Sequence, residues 1–134
     1  MLSMIMAFGM TVIGCKDNIN SILDESTIYT FKYLVTGEVV ESSSITSSIS
    51  VGYRNSTMDA VHLSNITLPW EESFSVTISK SNPFFTATVI VSATFLECSL
   101  TAKIFVDGEE VSSESIDSDG SSYTSFSTSY SVRR

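Results

Sequence analysis

The stretch Leu100-Thr101-Ala102-Lys103-Ile104-Phe105-Val106-Asp107-Gly108-Glu109-Glu110-Val111 decides the fold. Its Leu100, Ala102, Ile104 and Val106 recur at every second position, the pattern of a strand with one buried face. Asp107-Gly108 follows at once. A two-residue Asp-Gly connection favours positive φ at both positions, and that backbone matches the twist of an antiparallel hairpin. The stretch therefore predicts a strand, a tight turn and a second strand opening at Glu109-Glu110-Val111.

The same period extends in both directions. Tyr29, Phe31, Tyr33 and Val35 share one face of a first strand, and Ile45, Ile49, Val51 and Tyr53 one face of a second. Val61 and Leu63 begin a third, ending near Leu68; Phe74, Val76 and Ile78 align in a fourth. Phe84 to Leu96 is a more continuous apolar run, as in a central strand. A final strand or pair runs from Tyr123 to Val132, with Phe126, Tyr130 and Val132 in phase. Tyr123 is out of phase with them, which predicts a bulge or break near Thr124-Ser125. Serine and threonine make up close to a third of the chain. Alone they would suggest disorder, but apolar and aromatic residues alternate with them. The fold class predicted is all-β: an antiparallel, immunoglobulin-like β-sandwich of about seven strands, in two sheets packed face to face.

The chain has 134 residues and a formal net charge of −8. That length suits one domain with one core. Phosphate binding needs a basic patch, and Lys and Arg are scattered singly apart from Arg133-Arg134, so nucleic acid is excluded as a partner.

Met1 to Gly14 is apolar except for Ser3 and Thr11. A membrane-spanning helix needs roughly 20 apolar residues, whereas the apolar core of a secretory signal needs about 7–15. Val12-Ile13-Gly14-Cys15 resembles a bacterial lipobox, in which the signal is cleaved before a cysteine that then receives lipid. On this basis residues 1–14 are a lipoprotein signal peptide, 15–26 a lipidated tether and 27–134 the sandwich. Cys15-Lys16-Asp17-Asn18 is similar to the Cys-Lys-acidic start of outer-face lipoproteins in Bacteroidetes-type bacteria. The expected address is the cell envelope, as an outer-membrane or cell-surface lipoprotein, with membrane lipid as partner through Cys15. Each buried acyl CH2 contributes about 0.8 kcal/mol, so several chains on one cysteine suffice for an anchor.

Asn65-Ile66-Thr67-Leu68-Pro69-Trp70, Phe74-Ser75-Val76, Val91-Ser92-Ala93 and Leu100 to Val111 together resemble the mycobacterial membrane protein small (MmpS) family and its secreted relatives. The resemblance covers roughly residues 31–132. It implies a small seven-stranded sandwich outside the cytoplasmic membrane, with no enzyme activity. It also implies a partner: several members of that family assist large RND-type (MmpL) transporters. The anchor differs, since the mycobacterial members keep a transmembrane helix.

No catalytic constellation is legible. Glu71-Glu72 and Glu109-Glu110 are adjacent pairs, and neighbours on a strand point to opposite faces, so they read as solvated turns. Asp117-Ser118-Asp119-Gly120 resembles part of a calcium loop, but Phe126 stands where the closing Glu belongs; a polar turn or a loose surface calcium site remain. His62, the one histidine, cannot build a zinc site or a Ser-His-Asp triad, and reads as a surface strand residue. Cys98 reads as a small core residue, against the rival reading of a nucleophile. Asn55-Ser56-Thr57 and Asn65-Ile66-Thr67 match glycosylation sequons, accidental in a bacterial lipoprotein. Trp70 either caps the core or projects as an anchor for a partner.

The function expected is therefore that of a non-enzymatic, lipid-anchored envelope protein that contacts another envelope component, an RND-type transporter among the candidates. No metal or cofactor is expected. The contact residues expected are Leu68, Pro69 and Trp70 at one corner and Asp107 and Gly108 at the hairpin. The alternative is a glycan- or lipid-binding module, with Tyr29, Phe31, Tyr33, Tyr53, Tyr123 and Tyr130 as candidates for lining a groove.

Overall fold

The period of two becomes an alternation of burial along eight strands: β1 (Thr27–Val39), β2 (Ser48–Arg54), β3 (Ala60–Leu63), β4 (Trp70–Ile78), β5 (Phe84–Thr94), β6 (Glu97–Val106), β7 (Glu109–Asp119) and β8 (Tyr123–Arg133). The structure, a computed structural model, describes residues 25–40 and 48–134. The signal segment, Cys15, most of the tether and Ile45 lie outside the described residues.

All pairings are antiparallel, in two four-stranded sheets of order β4-β1-β6-β7 and β3-β2-β5-β8. This is the predicted sandwich, with eight strands rather than about seven. In an immunoglobulin domain the first two strands share a sheet; here β1 and β2 lie in opposite sheets. β1 and β5 are interior strands, and the inward rows of both are buried: Phe31, Tyr33 and Val35 against Phe85, Ala87, Val89, Val91 and Ala93. β6 adds Cys98, Leu100, Ala102 and Ile104 to the same core.

Two sequence expectations are corrected. The third strand ends at Leu63, not near Leu68: Asn65 turns at φ 56°, which breaks the ladder, and only the Ile66 amide still reaches β2, at the Ile49 carbonyl 3.0 Å away, before the chain crosses to the other sheet. No bulge interrupts β8 at Thr124-Ser125: its register with β5 is continuous from Thr94↔Tyr123 to Phe84↔Arg133. Tyr123 is out of phase because it stands on the outer face, where its hydroxyl meets Ser92 Oγ at 3.0 Å. The irregularity lies in β7 instead, where Ile104 pairs Ser112 and Phe105 pairs Glu110, leaving Val111 over.

Tyr33 joins the two layers. The ladder between β2 and β5 stops at Tyr53↔Val89, one step short of Arg54 opposite Thr88. The Tyr33 hydroxyl, reaching across from β1, fills that step. It donates to the Arg54 carbonyl at 2.7 Å and accepts from the Thr88 amide at 3.3 Å. Backbone polar groups withdrawn from water are rarely left unpaired, and here a side chain from the facing sheet satisfies two part-buried ones. Its ring packs on Phe74 and Tyr53, with centroids 5.4 Å and 5.5 Å away.

Burial pushes the Tyr33 phenol well above its usual ionisation range. A raised pKa means that the folded state holds the proton more tightly. The associated stability is complete below the unfolded value near 10 and is lost as pH climbs beyond about 10. Tyr33→Phe should cost about 1–3 kcal/mol at neutral pH, because it strands the Arg54 carbonyl and the Thr88 amide. It should also flatten the alkaline decline in denaturant midpoint. Tyr53 and Cys98 are raised by burial too, so they account for the decline that persists. An unchanged neutral midpoint would contradict the bridging role.

Candidate functional sites at the two ends of the sandwich

The two expected contact regions are not brought together. Along β1, Thr30 is level with Asp107, whose amide donates to the Thr30 carbonyl at 2.8 Å, while Val35 is level with Trp70. Five residues of strand separate these levels, about 17 Å at 3.3–3.4 Å per residue. Leu68 and Pro69 lie beyond Trp70. The hairpin and the corner therefore sit at opposite ends.

At the hairpin end, Asp107 and Gly108 adopt φ of 52° and 86°, as the tight turn requires. Asp107 also accepts the Thr30 amide through Oδ1 at 2.8 Å, so its side chain ties the turn to β1. Beside it lies a cavity of about 440 Å3 between the sheets, lined by Tyr29, Val106, Asp107, Glu109, Val111 and the Tyr130–Arg133 end of β8. Tyr29 and Tyr130 belong to inward rows of opposite sheets near strand ends, where the core no longer covers them fully; Tyr130 keeps 37% of its surface exposed. An aromatic pair with two carboxylates and Arg133 at its mouth has the chemistry to hold a small polar ligand with an apolar face.

At the corner end, Leu68 and Trp70 are half-buried and pack against the core, while Pro69 is exposed after a cis Leu68–Pro69 bond. The Trp70 ring lies 5.4 Å from that of Tyr53. Trp70 thus caps the core at the edge of its sheet and keeps part of its surface outside. An apolar cavity of about 300 Å3 opens there, with Ile49, Ile66, Leu68 and Leu96 in its wall. Also at this end is a cleft of about 600 Å3 whose walls carry Glu38, Glu97, Asp117 and Asp119. The Ser121 hydroxyl and amide, both bonded to the Asp119 carboxylate, hold that group below the usual carboxylate range.

The remaining candidates stay apart. The glutamate pairs stand in strands rather than in the expected solvated turns: Glu71 and Glu72 lie in β4, Glu72 half-buried opposite Tyr33 and Glu71 facing out, and Glu109 and Glu110 open β7, where Glu110 pairs with Lys103 at 3.1 Å. His62 is exposed on β3, 3.5 Å from Ser64 Oγ. Cys98 is 4% exposed, and burial, with the Asp117 carboxylate near, pushes its thiol up. Asn55 Oδ1 accepts the Thr57 and Asp59 amides and so shapes its own turn. Among the described residues, no three His, Cys, Asp or Glu side chains converge as metal ligands would, and no helix is long and apolar enough to cross a membrane.

Of the six aromatics considered for a groove, Phe31 and Tyr33 are fully buried and cannot line one. Tyr53 lies under Trp70, and Tyr123 is on the outer face at the other end from Tyr29 and Tyr130. The Tyr29–Tyr130 pairing was hidden from the sequence, since it depends on which strand ends the topology brings together.

No protein-family model matches the chain, and no curated protein matches it either.

Asp107 fills two roles in the hairpin, a left-handed backbone and an acceptor for Thr30. Asp107→Ala removes the acceptor and disfavours the backbone, and should cost about 1–2 kcal/mol in a denaturant titration. Asp107→Asn keeps both features and should stay within about 0.5 kcal/mol of the parent. Equal losses in the two variants would contradict this account of the turn.

Proposed function

We propose that this chain is a non-enzymatic, lipid-anchored cell-envelope protein whose β-sandwich contacts another envelope component. The observation that carries it is the lipobox-like Val12-Ile13-Gly14-Cys15, followed after a short polar stretch by a folded domain that starts at Thr27. The likeness to the mycobacterial membrane protein small family supports a transporter of the RND type as that component.

The fold supports a polarity for such an anchor. The described chain enters at Glu25 and ends at Arg134, and both are at the hairpin end: Arg134 donates to the Glu25 carbonyl at 2.6 Å and to the Pro83 carbonyl at 2.8 Å. A tether of residues 15–26 spans at most about 40 Å when fully extended. An anchored domain then turns its Asp107-Gly108 end toward the bilayer and its Leu68-Pro69-Trp70 corner away from it. The corner, with its apolar cavity and half-exposed Trp70, is the better placed of the two for a partner reaching from outside the lipid surface.

A second reading, a binding module for a glycan or lipid, is favoured by one observation, the Tyr29–Tyr130 cavity. Trp70 is at the far end, so its fluorescence would not report such a ligand; shifts in the ring resonances of Tyr29 and Tyr130 on titration with oligosaccharides or lipid headgroups would.

Cys15→Ala should move the protein from the membrane fraction to the soluble fraction on cell lysis, with its fold unchanged by circular dichroism. Retention of the variant in membranes, together with no uptake of lipid label by the parent, would sink the anchoring proposal. Gentle solubilisation of the parent should then bring down a stoichiometric membrane partner, and Trp70→Ala should weaken that recovery more than Asp107→Asn.

A further inference from the structure

We propose that β8 is a self-pairing edge, through which two copies of this chain join their second sheets into one of eight strands. This inference is independent of how the protein is anchored. The two sheets have four edge strands, β4, β7, β3 and β8. An edge leaves a row of backbone N–H and C=O groups that will pair with any strand offered, unless length, charge, proline or a bulge prevents it. β3 is only four residues long. β4 is entered through Pro69 and carries Glu71 and Glu72, with Glu72 on the inward row. β7 carries Glu109, Glu110, Glu114, Asp117 and Asp119, bulges at Val111, and sets Glu114 on the inward row opposite buried Ala102.

β8 has none of these devices. It is 11 residues long, its register with β5 is unbroken, and it holds no proline, glycine or charge before Arg133. Among the described residues its far side makes no backbone hydrogen bond, and β7 meets it through side chains, Ser112 to Thr128 and Thr124 to Ser118.

The strand is complementary to itself. Laying Tyr123–Arg133 antiparallel against a second copy at full overlap puts Thr128 on the two-fold axis. Tyr123 then faces Arg133, Phe126 faces Tyr130, Ser125 faces Ser131 and Ser127 faces Ser129, with outward and inward rows kept in phase. Aromatic and hydroxyl cross-strand pairs are favourable, and no like charges are opposed. Arg133 already lies 5.9 Å from the Phe84 ring on one side; Tyr123 of the second copy, 62% exposed in the single chain, would flank it on the other. Tyr130 would gain cover from Phe126 of the second copy. The chain's net charge of −8 opposes self-association wherever carboxylates meet. β8 itself carries no carboxylate, and the acidic side chains nearest the join are those of β7, which lies beside it in the other sheet.

Sedimentation equilibrium of the full chain in density-matched detergent tests this, at about 0.15 M salt, where the Debye length is about 8 Å. The parent should sediment as two chains. Ser127→Lys with Ser129→Lys, both on the exposed outer row, should sediment as one chain with an unchanged circular dichroism spectrum, because each lysine would face another. Mixing it with the Ser127→Glu, Ser129→Glu variant should restore the two-chain species. A parent that sediments as one chain, or a double-lysine variant that remains paired, would overturn the proposal.

Discussion

Within the core, one hydroxyl ties the two layers of this sandwich together, while the Ser112–Thr128 and Thr124–Ser118 pairs tie them at the β7–β8 side. Hydrophobic burial draws the inner faces together, but it is non-directional and sets no register between sheets. The Tyr33 hydroxyl does, because it must reach the Arg54 carbonyl and the Thr88 amide at the point where the β2–β5 ladder opens. Everything nearby follows from that placement. The Tyr33 ring meets Tyr53 and Phe74; Tyr53 in turn supports Trp70, and Phe74 packs on Phe31 and Phe85. A run of aromatic contacts thus connects the corner to the deepest part of the core.

The strand pattern and the tight turn were legible in the sequence for a local reason: side-chain alternation and turn chemistry both act within a few residues. Asp107-Gly108 could be placed because few dipeptides accept positive φ twice, and the inward rows of β1 and β6 could be placed because each alternates cleanly, whereas β5 reads only as a continuous apolar run. The third strand's early end was hidden, since Leu63 and Leu68 look alike until the crossing between sheets separates them. Tyr123 misled because an aromatic was taken to belong inside, whereas it stands outside and bonds to Ser92. Beyond the β6–β7 hairpin, sheet order was not legible. β1 lies between β4 and β6, and both contacts are long-range.

The same limit applies to the candidate sites. Leu68, Pro69, Trp70, Asp107 and Gly108 could each be recognised as turn or corner residues. That they occupy opposite ends follows only from the register of β1. The ends differ in character: one gathers both ends of the described chain, the hairpin and the Tyr29–Tyr130 cavity, and the other presents Trp70, an apolar hollow and an acidic cleft. Under the proposed anchoring, one of these ends would face the membrane and the other whatever the protein meets.

Intact-mass spectrometry of the protein taken from its own membranes addresses the central claim most directly. The account predicts a mature chain that begins at Cys15 and is heavier than residues 15–134 by the mass of its acyl groups. A chain that retains Met1 and carries an unmodified Cys15 thiol would contradict it.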